Sequence, residues 1–374
     1  MYRLFAFVGL VLVMGACQSG ENSLFRKIDA THSGITFSND ITSTDTMNAF
    51  VFTNFYNGSG VGIADFNQDG LPDICFSANQ KQPELYLNKG KLQFEKIENT
   101  GLRNPGWVTG ISIVDINQDG RPDIYFSMAR HPSLSSSANQ LYINQGTDSP
   151  TFVEQAADYG LAFDGFTTQT VFFDYDLDGD LDAYLLNTAP DVSNPNTLRI
   201  SVNDGTYPSS DKLFRNTGKQ ADGIYRYEDV SLSAGIRYEG LGLGVALADF
   251  NRDGLTDIYC SNDFQSDDAL YLNQADGTFR NVLPLAMPHS SMFGMGVDAA
   301  DFNNDLKTDL FQLDMLPEGS ERQKMMIAKG DYEKKQLSIS SQYRYHLQYM
   351  RNTLQVQQGV VNGIPYFSDQ GLMH

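Results

Sequence analysis

From residue 60 onward, apolar positions fall into short β-prone runs separated by clusters of Gly, Asn, Asp and Pro. The run "GVGIA" (60–64) is followed by "DFNQDGLPD" (65–73), then by "ICFSA" (74–78), "ELYLNKG" (84–90) and "LQFEKI" (92–97). Runs of this length, rich in Val, Ile, Phe and Tyr and bounded by turn residues, predict strands. The order returns along the chain. Apolar runs "GISIV", "TQTVFF", "GLGVALA" and "GMGVDAA", all but the second carrying Gly, are followed by "IYFSM", "AYLLN", "IYCSN" and "LFQLD". Then come "QLYINQG", "KLFRNTG" or "ALYLNQADG", and finally "TFVEQA", "YRYEDV" or "GTFRNV".

Each unit therefore predicts four antiparallel strands, A to D, with an aspartate-rich phrase between A and B. The phrase occurs five times, from Asp65, Asp115, Asp174, Asp249 and Asp301, with starts 50 to 75 residues apart. A period of that length signals an array or a propeller. It is too long for one coil of a β-solenoid. A single four-stranded unit cannot bury both of its faces, whereas radially stacked units can. The expected fold is all-β: a β-propeller of four-stranded blades.

The phrase places oxygen-bearing side chains at positions 1, 3, 5 and 9. These are Asp65, Asn67, Asp69 and Asp73; Asp115, Asn117, Asp119 and Asp123; Asp174, Asp176, Asp178 and Asp182; Asp249, Asn251, Asp253 and Asp257; Asp301, Asn303, Asp305 and Asp309. An EF-hand begins similarly but needs a bidentate Glu at position 12 and flanking helices. Position 12 here is Phe76, Phe126, Leu185, Cys260 and Gln312, and the flanks read as strands. What remains is a nine-residue loop of hard oxygen ligands, with the position-7 carbonyl as a fifth, and Ca²⁺ is the ion such a loop suits. About five Ca²⁺ sites are expected. Gly at position 6 permits positive φ. The third copy, with Asp180 beside its four ligands, is expected to bind tightest. The fifth has Leu306 in place of that Gly, so the Asp301 site is expected to be weakest or its loop to bend differently.

Composition fits this reading. The 374-residue chain is 41% hydrophobic, enough for a large core, and carries a formal net charge of −20. That charge argues against nucleic-acid binding, which needs a basic patch. The N-terminus, "MYRLFAFVGLVLVMGACQSG", has a basic Arg3, a short apolar run and small residues before Cys17. It resembles a bacterial lipoprotein signal: residues 1–16 a leader, Cys17 the lipidated residue, 17–24 a tether and 25–374 the propeller. An exported outer-membrane lipoprotein, periplasmic or surface-facing and held to the membrane by its lipid, is the corresponding expectation. Cys75 and Cys260 sit at different offsets in separate repeats, as strand-packing residues rather than a disulfide pair.

With "MFGMG" (292–296) and looser versions such as "GSGVG", the repeats resemble FG-GAP/VCBS repeats, the calcium-loop blades of integrin α-subunit propellers. "FRKIDATHSGITFSND" and "DMLPEGSERQK" resemble exported Bacteroidetes VCBS-repeat lipoproteins of the ASPIC/UnbV and cartilage acidic protein group. The resemblance implies seven blades where five calcium loops are present. Either the chain is a fragment of a longer protein, the favoured expectation, or residues 24–40 close a smaller ring with the C-terminal strands.

In such a blade the A–B and C–D turns share one face, and the B–C and D–A connections share the other. The long polar connections 187–212 and 128–140 therefore lie opposite the calcium loops. A charged insertion, 317–350, reads as helical. No CxxC, HExxH, GxSxG or P-loop is present, and "GLGLGVALAD" lacks the third glycine of a dinucleotide site. The sequence favours a non-catalytic cell-surface module that binds a glycan or protein ligand on the loop-bearing face. The alternative is a propeller-type polysaccharide hydrolase or lyase.

Overall fold

A computed structural model describes residues 24–146, 148–188, 198–264, 266–317, 319–326 and 337–371. Cys17, the expected lipidation residue, and the expected leader 1–16 lie outside the described residues. The first blade is β1 (Val61–Ala64), β2 (Asp73–Phe76), β3 (Glu84–Asn88) and β4 (Phe94–Ile97). The second is β5 (Val108–Val114), β6 (Asp123–Met128), β7 (Gln140–Asn144) and β8 (Phe152–Glu154). The third is β9 (Thr167–Phe173), β10 (Asp182–Asn187), β11 (Lys212–Lys219) and β12 (Tyr225–Asp229). The fourth is β13 (Gly242–Ala248), β14 (Asp257–Asn262), β15 (Ala269–Asn273) and β16 (Phe279–Asn281). Next come the two-residue β17 (Ser290–Ser291), β18 (Gly294–Ala300), β19 (Asp309–Asp314) and β20 (Gln348–Tyr349), which pairs in parallel with β17. With β18 and β19, β21 (Thr353–Val361) and β22 (Ile364–Asp369) complete the fifth blade. Every blade pairs antiparallel in sequence order, as the alternation of runs predicted.

The blades stack through their first strands: β1 lies against β5, β5 against β9, β9 against β13 and β13 against β18. One cavity of about 440 Å³ is lined by Val61, Gly110, Thr168, Leu243 and Met295, so all five first strands converge on a common axis. This is the radial arrangement of a propeller. Crowding at the axis explains the Gly-rich first runs. A Cβ on Gly110 would lie 2.6 Å from the Thr168 carbonyl oxygen, and one on Gly244 2.7 Å from that of Met295.

Apolar side chains fill the four spaces between consecutive blades. Between the first and second, Phe66, Cys75 and Leu85 meet Ile124, Phe126 and Tyr142. Between the fourth and fifth, Phe250, Tyr259 and Leu270 meet Leu310 and Phe367. Cys75 and Cys260 are buried free thiols, as expected. The outer face of the fifth blade is different. Phe302 is 46% exposed, whereas its counterparts Phe66, Ile116, Tyr175 and Phe250 are at most 4% exposed. Phe311 is 37% exposed where Tyr125, Tyr184 and Tyr259 are buried. No packing of β18 on β1 like that between consecutive blades exists among the described residues.

Two expectations need correction. Residues 24–40 do not close a ring with the C-terminal strands. They add no strand and pack on the free face of the first blade instead. There Phe37 stacks on Phe76 at 4.7 Å and Thr36 N–H donates to the Tyr86 hydroxyl at 3.3 Å. The 317–350 insertion is only partly helical. A helix spans Ser320–Met326, but residues 341–350 run through turns and β20. Their Tyr and His side chains pack into the neighbouring connections, which overrides helix propensity.

Candidate functional site

Each aspartate phrase forms the A–B turn predicted for it, and all five turns lie at the same end of the blades. The loops share one internal bonding scheme. The position-1 carboxylate accepts two backbone N–H groups: Asp65 from Asp69 (3.0 Å) and Gly70 (2.8 Å), Asp174 from Asp178 (3.1 Å) and Gly179 (3.0 Å). Asp115, Asp249 and Asp301 do the same. The position-3 amide oxygens of Asn67, Asn117, Asn251 and Asn303 accept the position-5 N–H. The position-5 carboxylates of Asp69, Asp119, Asp178, Asp253 and Asp305 accept the position-7 N–H.

The position-9 aspartates, Asp73, Asp123, Asp182, Asp257 and Asp309, have no exposed surface. One oxygen accepts the N–H of position 2, as from Phe250 to Asp257 at 2.9 Å, and the other accepts an N–H from the third strand, as from Asn273 at 2.9 Å. Each thus ties its loop to its own sheet. Burial, with the neighbouring carboxylates adding to it, pushes Asp123, Asp182 and Asp257 up to about 7. It also raises Asp73 and Asp309. A bound cation acts in the opposite sense, favouring the charged form.

The residues fit a hard cation. In the third loop, oxygens of Asp174, Asp176 and Asp182 lie within 4.8 Å of one another, the one trio of acids so placed among the described residues. Asp180 beside them is pushed up to about 6 by burial and by Asp178. The other loops replace the third-position acid with Asn, whose amide N–H₂ turns to the position-5 carboxylate, as Asn251 does to Asp253 at 2.7 Å. The position-12 residues all lie in second strands, which excludes an EF-hand.

The fifth loop does not bend differently. Leu306 takes φ +65°, beside +82° to +95° for the glycines at this position, and its N–H makes the same bond to Asp301 (2.8 Å). The loop keeps its shape against the Leu side chain's own preference. The Lys307 ammonium also binds Asp305 at 2.7 Å and holds its carboxyl below the usual range. Leu306 is 81% exposed. Leu306→Gly should therefore stabilise the protein by about 0.5–1 kcal/mol, the relieved strain less the extra freedom of Gly in the unfolded chain. Urea denaturation checks this; a loss of stability would contradict it.

Two features escaped the sequence. Position 4 also adopts positive φ, at Gln68, Gln118, Leu177, Arg252 and Asn304, with no glycine to mark it. The second is a tie between blades. The third-strand amide of one blade donates to the position-2 carbonyl of the preceding loop: Asn144 to Phe66 (3.0 Å), Asn273 to Tyr175 (2.7 Å) and Gln357 to Phe250 (2.7 Å). The recurring Asn of "LYLN" is its only local trace.

Comparison with known proteins bears on these repeats. The family described as FG-GAP-like repeat matches residues 65–126 and 249–311. The chain carries FG-GAP-like repeats. Cartilage acidic protein 1 of Mus musculus is 35% identical over 91 residues, covering 24% of this chain and 14% of that protein. Its Homo sapiens counterpart is 37% identical over 92 residues, 24% of this chain and 13% of that protein. The match thus spans about a seventh of the curated relatives. Solved structures similar to this chain include an Agrocybe aegerita lectin described as recognising non-reducing terminal N-acetylglucosamine. It has a TM-score of 0.43 and 16% identity, over 82% of this chain and 64% of that one. The exotype rhamnogalacturonan lyase YesX gives a TM-score of 0.36 and 12% identity, over 68% and 45%.

The end of the blades away from the aspartate loops carries buried acids of another kind. Asp211 accepts from the Tyr184 hydroxyl (2.6 Å) and Asn187 N–H (2.7 Å), and Asp268 from Tyr259 (2.7 Å) and Asn262 N–H (2.7 Å). Burial pushes Asp211, Asp263, Asp267 and Asp268 up to about 7, from 3.8. A raised folded-state pKa gives stability that is full below the unfolded value and is lost as pH rises through about 7. Stability at saturating calcium should therefore fall from pH 5 to pH 8, and Asp268→Asn should flatten the fall. Denaturation midpoints across that range provide the check; a rise with pH would contradict it.

Proposed function

We propose that the chain is a calcium-stabilised propeller acting as a non-catalytic binding module. The observation that carries this reading is the separation of the two ends. The five oxygen-ligand loops occupy one end, each locked to its sheet by a buried aspartate. The long connections 129–139, 198–211, 263–268 and 337–352 gather at the other. The proposed calcium ligands are the position 1, 3, 5 and 9 residues with the position-7 carbonyl. The ion would screen clustered carboxylates whose repulsion opposes folding. An extracellular compartment would supply it at the roughly 10⁻⁴–10⁻³ M range such modules use. Export and anchoring through Cys17 belong to the same reading, on the strength of the leader sequence.

Rigid scaffolds carry recognition on their connecting loops, and the ligand class proposed for this face is glycan or protein. Several acids on this side, Asp211, Asp268 and Glu239, are already engaged by tyrosine hydroxyls, backbone N–H groups or Arg199. That favours binding over hydrolysis or elimination. The calcium-loaded mature chain should be applied to glycan and protein arrays, with a parallel depolymerisation assay. Binding without products is expected. Product release, abolished by one carboxylate substitution outside the loops, would overturn the reading in favour of a polysaccharide hydrolase or lyase.

A further inference from the structure

On the loop-bearing end, a cavity of about 400 Å³ lies among connections of three consecutive blades. Ser201 and Asn203 come from the third blade, Tyr238 from the link to the fourth, Asp267 from the fourth, and Tyr343 and Arg344 from the fifth. Its walls are fixed by contacts that pin each segment. The Arg199 guanidinium pairs with both oxygens of Glu239 (2.5 and 2.7 Å) and stacks over Tyr207 at 4.5 Å. Val202 N–H donates to Glu239 at 2.7 Å, and the Tyr345 hydroxyl donates to the Arg199 carbonyl at 2.7 Å. The Tyr238 hydroxyl accepts Asp267 N–H at 2.9 Å.

The chemistry of the lining is specific. Two tyrosine rings offer flat walls, and hydroxyl and amide groups offer neutral donors and acceptors. This mixture suits the alternating faces and hydroxyls of a sugar ring. The Asp267 carboxylate is turned to the protein, accepting His346 N–H at 2.9 Å and the Gln348 amide at 3.3 Å. Arg199 is consumed by Glu239. Among the described residues Arg344 has one side-chain partner: its Nε donates to the Ser341 carbonyl at 3.1 Å, and its terminal nitrogens have none there. Arg344 is also held at φ +60°, a conformation L-residues rarely adopt and one that gathers at ligand sites. A guanidinium with its fork free matches a carboxylate in two-point geometry.

We infer that this cavity is a site for an acidic sugar, with Arg344 binding the uronate carboxylate and Tyr238 and Tyr343 flanking the ring. The inference rests on the binding-module reading above and gives that module a ligand class and an address. The test uses the calcium-loaded mature chain and two probes that differ at one group: a trisaccharide ending in glucuronate and the same trisaccharide ending in glucose. Calorimetric titration should show the acidic probe binding at least tenfold more tightly. Arg344→Gln should bring it down to the level of the neutral probe, and Tyr343→Ala should weaken both, each with unchanged melting temperature. Equal affinity for the two probes, or acidic binding that survives Arg344→Gln as calcium bridging would, overturns the site. So does a lack of binding to either probe by protein that still binds array ligands, an outcome that leaves the module reading standing.

Discussion

Asp257→Ala is expected to lower stability by roughly 2–6 kcal/mol. The carboxylate has no exposed surface and accepts the N–H groups of Phe250 and Asn273, both at 2.9 Å. Removing it strands two buried donors, each worth about 1–3 kcal/mol. It also removes a proposed calcium ligand, so the effect of chelation should shrink in the variant. Asp257→Asn keeps one acceptor oxygen and should cost about half as much while still weakening the metal site. Urea denaturation with calcium and with chelator separates the two contributions. A change under about 1 kcal/mol in both conditions would mean that the aspartate is not the tie between loop and sheet.

The second large effect is expected between blades. Tyr259 is buried between the fourth and fifth blades and bonds Asp268 through its hydroxyl at 2.7 Å. Tyr259→Ala should cost about 3–5 kcal/mol, as for other large buried aromatic side chains. Phe311 holds the same place in the fifth blade but is 37% exposed. Phe311→Ala should cost about 1–2 kcal/mol, in proportion to the part of the ring that is buried. Equal losses at the two positions would show that the outer face of the fifth blade is packed against something in solution.

The comparison of these two residues shows what was legible in the sequence. The strand runs, their order and the aspartate phrase are local patterns, and all five copies form the strands and turns they predict. Counterparts such as Tyr259 and Phe311 look alike in sequence, because what differs is the presence of a neighbouring blade. The blade-to-blade amides were hidden for a related reason: Asn144 and Phe66 are 78 residues apart, and nothing in local spacing pairs them. The position-9 aspartates were legible as acids but not as clamps, since their backbone partners lie on another strand. Glycine marks the left-handed geometry at Gly70 and its counterparts, whereas at Gln68 and its counterparts the loop's hydrogen bonds impose it on ordinary residues. The charge pattern of 341–350 suits a helix, but Tyr345, His346 and Gln348 are claimed by contacts with Arg199 and Asp267.

The aspartate loops are proposed to be calcium pins. The most direct test is to titrate Ca²⁺ into the chelator-stripped mature chain, measuring heat and melting temperature together. Four or five bound ions are expected, with a rise in melting temperature of roughly 10 °C or more, the third loop filling first and the fifth last. No bound calcium, or saturation that leaves the melting temperature unmoved, would contradict it.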